Sequence, residues 1–236
     1  MRYSIIIPTL NEERFIHRLI SHVQLAGEGE SYEIIVCDGG SSDRTVSVAA
    51  GLGVRTYESP KKGRAGQMNF AAARAKGEIL YFVHADCIPP VTFFKEIEAQ
   101  LMKGADAGCF RYKFDSDKFM LRVNAFFNRF GGLICRGGDQ TLFIKRTIFN
   151  SLGGFNETFT IMEDYDLVRS IRKQYRFAVI PAYAVVSSRK YEHNNWLQVN
   201  FANSIALFMF ISELALPTGL NPLTTVSSDT LKMSNP

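Results

Sequence analysis

The chain has no CxxC pair, and its four cysteines, Cys37, Cys87, Cys109 and Cys135, are widely scattered. That spacing argues against a zinc ribbon and a disulfide framework, and it points to a reducing, cytoplasmic setting. No strong charge of one sign is present. The 27 basic and 23 acidic residues leave a formal +4, too little to argue for nucleic acid without a basic stripe, though compatible with anionic small molecules or an anionic membrane surface. Long hydrophobic runs are missing as well. Ser4 to Ile7 is cut off by Pro8 and is too short for a signal peptide. Phe201 to Leu216 is strongly apolar but contains Asn203, Ser204, Ser212 and Glu213, and it falls short of the ~20 residues that span a bilayer. It reads as a packed or membrane-surface helix. There is no internal repeat. The remaining composition, 46% apolar and 21% charged over 236 residues, is that of a globular protein with room for one sizeable α/β core.

Short β-branched runs bounded by Gly, Pro, Asp or Asn alternate with helical patterns, as in βαβ units around a mostly parallel sheet. Strands are expected over Tyr3–Pro8, Glu33–Cys37, Val54–Tyr57 and Ile79–Val83. Helices are expected from Glu12 to about Ala26, with Phe15, Leu19 and Val23 on one face and Asn11 as cap; from a Ser42 cap through Val46 and Ala50; and over Gly66–Ala75. A further helix starts at Pro89-Pro90 and runs to about Met102. Beyond Ala107 the order loosens: a strand to Phe114, an aromatic-rich helix over Lys118–Phe130, a Gly-rich turn, a strand at Thr141–Ile144, and a helix over Met162–Tyr175. The Ser-, Thr-, Asn- and Pro-rich residues 222–236 are expected to be poorly ordered.

Ligands of open α/β sheets bind outside the carboxyl ends of the strands, and here those ends are polar. The first expected strand ends in Pro8-Thr9-Leu10-Asn11-Glu12-Glu13, the second in Asp38-Gly39-Gly40-Ser41-Ser42-Asp43, and the fourth in His84-Ala85-Asp86. Taken singly, these residues read equally well as helix caps and turns. Further along come Arg64-Ala65-Gly66-Gln67-Met68-Asn69; Gly137-Gly138-Asp139-Gln140 with Phe143-Ile144-Lys145-Arg146; Gly153-Gly154-Phe155; and Met162-Glu163-Asp164. Ser187 to His193 closes the series with two cations, Arg189 and Lys190, suited to an anionic group.

In order and spacing this series resembles the family 2 glycosyltransferases of the glycosyltransferase A fold, most closely their bacterial radical-SAM/selenodomain-associated subgroup, over nearly the whole chain to about Trp196. The resemblance implies a single-domain α/β fold with a Rossmann-like, mostly parallel central sheet flanked by helices. It implies a nucleotide-sugar-binding half at 1–104, an acceptor and catalytic half at 105–195, an apolar helix at 196–221 and a flexible tail. Pro8, Thr9, Glu12, Asp38, Arg64, Asn69 and His84 would line the nucleotide pocket, with Asp38 accepting from the base. Gly39 stands where a second acid is common, which loosens the inference to uracil. Asp86 matches the metal-binding acid of the DxD motif, where a carboxylate on a tight turn holds Mg2+ or Mn2+ against a diphosphate. His84 stands at the motif's first acid.

By the same resemblance Asp164 is the catalytic base, a carboxylate able to take the acceptor hydroxyl's proton, and Glu163 orients the acceptor side. Asp139 and Gln140 would contact donor or acceptor, Arg189 the departing diphosphate, and His193 would be a further metal ligand. The implied reaction is inverting transfer from a nucleotide-sugar donor, UDP-linked, to a hydroxyl acceptor. The apolar stretch from Trp196 to Leu216, with Phe119, Phe126 and Phe127, fits a lipid-linked acceptor and a peripheral contact at the inner membrane face, and equally a helical core or homodimer interface. No nucleic-acid partner is expected. Two other readings stand beside this one. A nucleotidyltransferase would carry a Gly-rich basic loop after the first strand, which Pro8-Thr9-Leu10-Asn11 is not. A non-catalytic nucleotide-sugar-binding protein is hinted at only by His84.

Overall fold

A computed structural model of the chain describes residues 1–122, 141–159 and 161–193, with residues 199, 201, 204–206, 208 and 210. The first half is built of β1 (Tyr3–Thr9), α1 (Glu13–Ala26), β2 (Tyr32–Asp38), α2 (Thr45–Gly51), β3 (Arg55–Glu58), α3 (Arg64–Ala72) and β4 (Ile79–Phe82). β1 pairs in parallel with β2 and β4, and β2 with β3. Every residue of β1 is buried, because helices cover both faces of a parallel sheet. The period-two alternation of a strand divides its side chains between two cores. Tyr3, Ile5 and Ile7 pack with Ile16, Leu19, Ile20 and Val23 of α1. Ile6 faces the other way, toward Ala65, Met68 and Ala71 of α3.

The second half continues with β5 (Cys87–Ile88), α4 (Phe93–Met102), β6 (Ala107–Phe114), β7 (Leu142–Lys145), α5 (Arg146–Ser151), α6 (Glu163–Gln174), β8 (Phe177–Val186) and α7 (Lys190–His193). The eight strands form one sheet in the order β3-β2-β1-β4-β7-β6-β8-β5. β7 runs antiparallel to β4 and β6, β8 parallel to β6, and β5 antiparallel to β8. The expected α/β fold with helices on both faces is therefore present, its parallel part concentrated in β1 to β4.

Several local expectations are corrected. Asn11 and Ser42 do not cap helices. Asn11 sits in the left-handed region at φ 56°, and its Oδ1 accepts from the backbone and hydroxyl of Ser42 at 2.9 and 3.3 Å, tying two loops together. α3 begins at Arg64 and ends at Ala72 instead of running from Gly66 to Ala75. β8 is a ten-residue strand that sequence reading passes over, because Pro181 interrupts its pattern. The register with β6 jumps from Phe110↔Ile180 to Arg111↔Tyr183, so Pro181 and Ala182 are the extra residues of a bulge, where a missing N–H costs little. Residues 119–122 are helical, and the remainder of the helix expected to Phe130 lies outside the described residues, as does the tail from 222. Among the described residues no helix is long and apolar enough to cross a membrane.

Candidate active site

The carboxyl ends of β1 and β2 meet at Thr9 and Asp38, which are register partners. Asp38 is 1% exposed. Its Oδ1 accepts from the hydroxyls of Thr9 at 3.0 Å and Ser41 at 2.5 Å, and its Oδ2 from the N–H groups of Gly40 at 2.9 Å and Ser41 at 2.7 Å. A carboxylate has about four acceptor positions, so Asp38 is committed to shaping the loop and offers no spare oxygen to a base. Gln67, which sequence reading left without a role, clips the same two strands: its Nε2 donates to the carbonyls of Thr9 and Cys37 at 2.7 and 2.9 Å. A Cβ on Gly39 would stand 2.8 Å from that amide nitrogen, so no larger residue can enter here unless Gln67 moves.

Asp86 follows β4 and immediately precedes β5. Because Cys87 and Ile88 pair with Val186 and Val185, the end of β8 is carried alongside Asp86, and Ser187 N–H continues the ladder to the Asp86 carbonyl at 3.0 Å. Arg189 is thereby delivered to the end of β1. It forms a two-pronged ion pair with Glu12, Nη1 to Oε2 at 2.8 Å and Nη2 to Oε1 at 2.6 Å, and its Nη2 lies 3.4 Å from Asp86 Oδ2. Its guanidinium carbon stands 4.8 Å from the Phe15 ring centroid. Burial acts to lower the Arg189 pKa, and the bonds to Glu12 with the charges of Asp86 and Glu12 more than reverse it, so the net shift is upward.

The Glu163-Asp164 pair opens α6. Met162, just before it, is left-handed at φ 72°, a conformation that costs a non-glycine residue roughly 1–2 kcal/mol. Such strain collects where a turn must aim particular side chains. Glu163 is 1% exposed, with Arg64 Nε of α3 2.9 Å from its Oε1. Asp164 faces His84, Nε2 to Oδ2 at 4.0 Å, each side chain 16% exposed. The acid expected to be the base thus stands beside the segment expected to hold a metal.

Of the remaining expected residues, Pro8 lies in β1 opposite Cys37. Asn69 is engaged with the segment after α5: its Nδ2 donates to the Phe155 carbonyl at 2.8 Å and Glu157 Oε1 at 3.0 Å, and its Oδ1 accepts from Phe155 N–H at 2.9 Å. It fastens the Gly153-Gly154-Phe155 turn, both glycines of which have positive φ. Asp139 and Gln140 lie outside the described residues, and His193 is the last residue of α7, its side chain likewise outside them. Among the described residues, no group of three or more His, Cys, Asp or Glu side chains comes together to hold a metal by itself.

The helix-flanked sheet, parallel through β1 to β4 with acids at its carboxyl edge, is that of the glycosyltransferase A fold, as the solved structures it resembles show. Residues 4–175 match the family described as Glycosyl transferase family 2. The chain belongs to that family and is a glycosyltransferase of it. It is similar to a PGL/p-HBAD biosynthesis glycosyltransferase of Mycobacterium bovis, 26% identical over 238 residues, covering 92% of this chain and 86% of the relative. In fold it is similar to glucosyl-3-phosphoglycerate synthase from Mycobacterium tuberculosis, crystallised with Mn2+, UDP and glucosyl-3-phosphoglycerate. That likeness has a TM-score of 0.66 at 18% identity, over 92% of this chain and 81% of that one. It is also similar to S. aureus TarS 1-349, with a TM-score of 0.65 at 17% identity over 82% of this chain, and it spans 62% of that chain's length.

Proposed function

We propose that this protein transfers a sugar from a nucleoside diphosphate donor, UDP-linked, to a hydroxyl acceptor with inversion, aided by Mg2+ or Mn2+. The observation that carries the reading is the convergence of Glu12, Asp86 and Arg189 at one end of the sheet with Asp164 beside His84. A cation fits this crevice: the Arg189 guanidinium already stands between two carboxylates, and the donors are the hard oxygens that Mg2+ and Mn2+ prefer. Among the described residues fewer than three such side chains gather here, so substrate oxygens would fill out the ion's shell, as phosphates do in Mg2+ sites. Held by Asp86, it would offset charge on the diphosphate.

The chain's own groups account for the remaining steps. The loop shaped by Asp38 and Gln67 receives the nucleotide at the ends of β1 and β2. Asp164 accepts the proton of the acceptor hydroxyl as that oxygen bonds to the anomeric carbon. The bond from that carbon to the diphosphate oxygen breaks, and its electron pair leaves with the phosphate. Arg189 neutralises the leaving diphosphate by charge-assisted hydrogen bonds. Glu163, buried against Arg64, supports the start of α6. The relative crystallised with Mn2+ and UDP supports the donor class. The motif order supports the bacterial radical-SAM/selenodomain-associated subgroup.

The test is donor hydrolysis and UDP binding with Mn2+ present. Asp164→Asn should lower turnover about 10²- to 10⁴-fold while UDP still binds, and Asp86→Asn should lose Mn2+-dependent UDP binding. Full turnover by Asp164→Asn would remove it as the base. The exposed Phe201, Ile205 and Phe208 recur at helical spacing and support a lipid-linked acceptor and a peripheral membrane contact. Flotation with anionic vesicles checks this, and protein left wholly in the soluble fraction overturns it.

A further inference from the structure

With Asp86 taken as the acid that holds the ion, as proposed above, the crevice already contains a competitor for that carboxylate. Glu12 and Asp86, with side chains 13% and 22% exposed, both approach the Arg189 guanidinium, each reaching Nη2. The contacts are unequal. Arg189 engages Glu12 through two short bonds of 2.6 and 2.8 Å, and approaches Asp86 through one nitrogen at 3.4 Å. The backbone beneath it is pinned, Ser187 N–H to the Asp86 carbonyl at 3.0 Å and Ser188 N–H to Asp115 Oδ1 at 2.7 Å. A rotation of the Arg189 side chain therefore withdraws this cation from Asp86 without moving β8.

We propose that Arg189 serves as a counter-cation of Asp86, that Glu12 holds it there, and that Arg189 and a divalent ion compete for Asp86. Two carboxylates sharing a partly buried crevice repel unless a cation lies between them. Arg189 supplies one such positive charge. When a metal ion takes Asp86, Glu12 keeps the guanidinium in the crevice, poised for the diphosphate. Glu12 is accordingly a positioning residue for Arg189 and not a nucleotide contact. The arrangement gives the free enzyme a weak metal site that strengthens when a diphosphate draws Arg189 away, coupling the two binding events through one side chain.

The test measures Mn2+ binding to the full chain without nucleotide, by electron paramagnetic resonance of the free ion. Arg189→Gln removes the competing charge and should tighten Mn2+ binding about five- to tenfold, the size of a unit-charge interaction at about 4 Å under water-like screening. Arg189→Lys keeps the charge and should stay near wild type. Asp86→Asn should abolish binding in either background. Loss of Mn2+ binding in Asp86→Asn with equal affinity in wild type and Arg189→Gln would leave the reading of Asp86 standing and overturn the role of Arg189. Absence of Mn2+ binding by every form, even with UDP added, would overturn both. Thermal unfolding verifies that each variant is folded. A second measurement works on the wild-type chain: the Arg189 Nε–H resonance, assigned by its loss in Arg189→Gln, should shift on adding Mg2+ to wild type and not to Asp86→Asn. A resonance that stays in place while Mg2+ binds overturns the proposal.

Discussion

Arg64 Nε stands 2.9 Å from Oε1 of Glu163, joining the first residue of α3 to the first residue of α6 across 99 positions of sequence, the difference between 163 and 64. Glu163 is almost wholly buried, so removing this cation takes away the charge partner of a buried acid. Arg64→Met should destabilise the fold by about 2 kcal/mol, toward the low end for a broken pair because Arg64 is partly exposed. Urea unfolding checks it. A change below about 0.5 kcal/mol, the range of ordinary surface substitutions, would mean the pair contributes nothing.

Asn69 holds the Gly153-Gly154-Phe155 turn by two hydrogen bonds to Phe155 and makes a third to Glu157, and a Cβ on Gly154 would stand 2.6 Å from Asn69 Oδ1. Asn69→Ala should cost about 2–3 kcal/mol at about 1 kcal/mol net per bond, with UDP affinity unchanged. Calorimetric titration with UDP separates this from a nucleotide contact, which would instead weaken binding while stability held.

Burial pushes the Cys37 thiol up to about 11 from 9.0, with a partial counter-effect from Ser59. Since the thiolate is the reactive form, a two-unit rise lowers its population about a hundredfold at pH 8. Iodoacetamide should label Cys37 in native protein at most about one-hundredth as fast as an ordinary exposed thiol, and at the ordinary rate in urea. Mass spectrometry of the Cys37 peptide reads the result, and equal rates in both states would contradict it.

Asp106 is held below the ordinary carboxylate range. Burial raises its pKa, but the Lys145 ammonium at 2.8 Å and the Arg176 N–H at 3.0 Å lower it by more. A depressed folded pKa contributes stability above the unfolded value and loses it as pH falls through the folded one. Asp106→Asn should therefore be less stable than wild type at pH 7 by about 1 kcal/mol, with the gap closing under acid. Thermal melts across pH check the sign; a gap that widens toward low pH would reverse it.

β1, β2 and β4 were legible in the sequence because a buried parallel strand must be almost wholly apolar and must end abruptly in polar loop residues. The placement of Thr9, Asp38 and Asp86 at or just after strand ends was legible for the same reason. The bonds of Asn69 to Phe155 and Glu157 were not legible, because an amide in a motif carries no mark of which way its helix is rolled. β8 was missed because a proline is normally evidence against a sheet interior, and only the pairing with β6 reveals the bulge that accommodates it.

By itself, the sequence determined the α/β class, the succession of strands and helices through β4, and the chemistry available at the strand ends. Local periodicity and side-chain type decide those. Only the tertiary structure decided how that chemistry is distributed. Asp38 is consumed by its own loop, and Asn69 by the glycine turn. Arg189 meets Glu12 across 177 residues because the pairing of β5 with β8 carries it there. Such partnerships depend on how strands align in three dimensions, and no local pattern encodes that alignment.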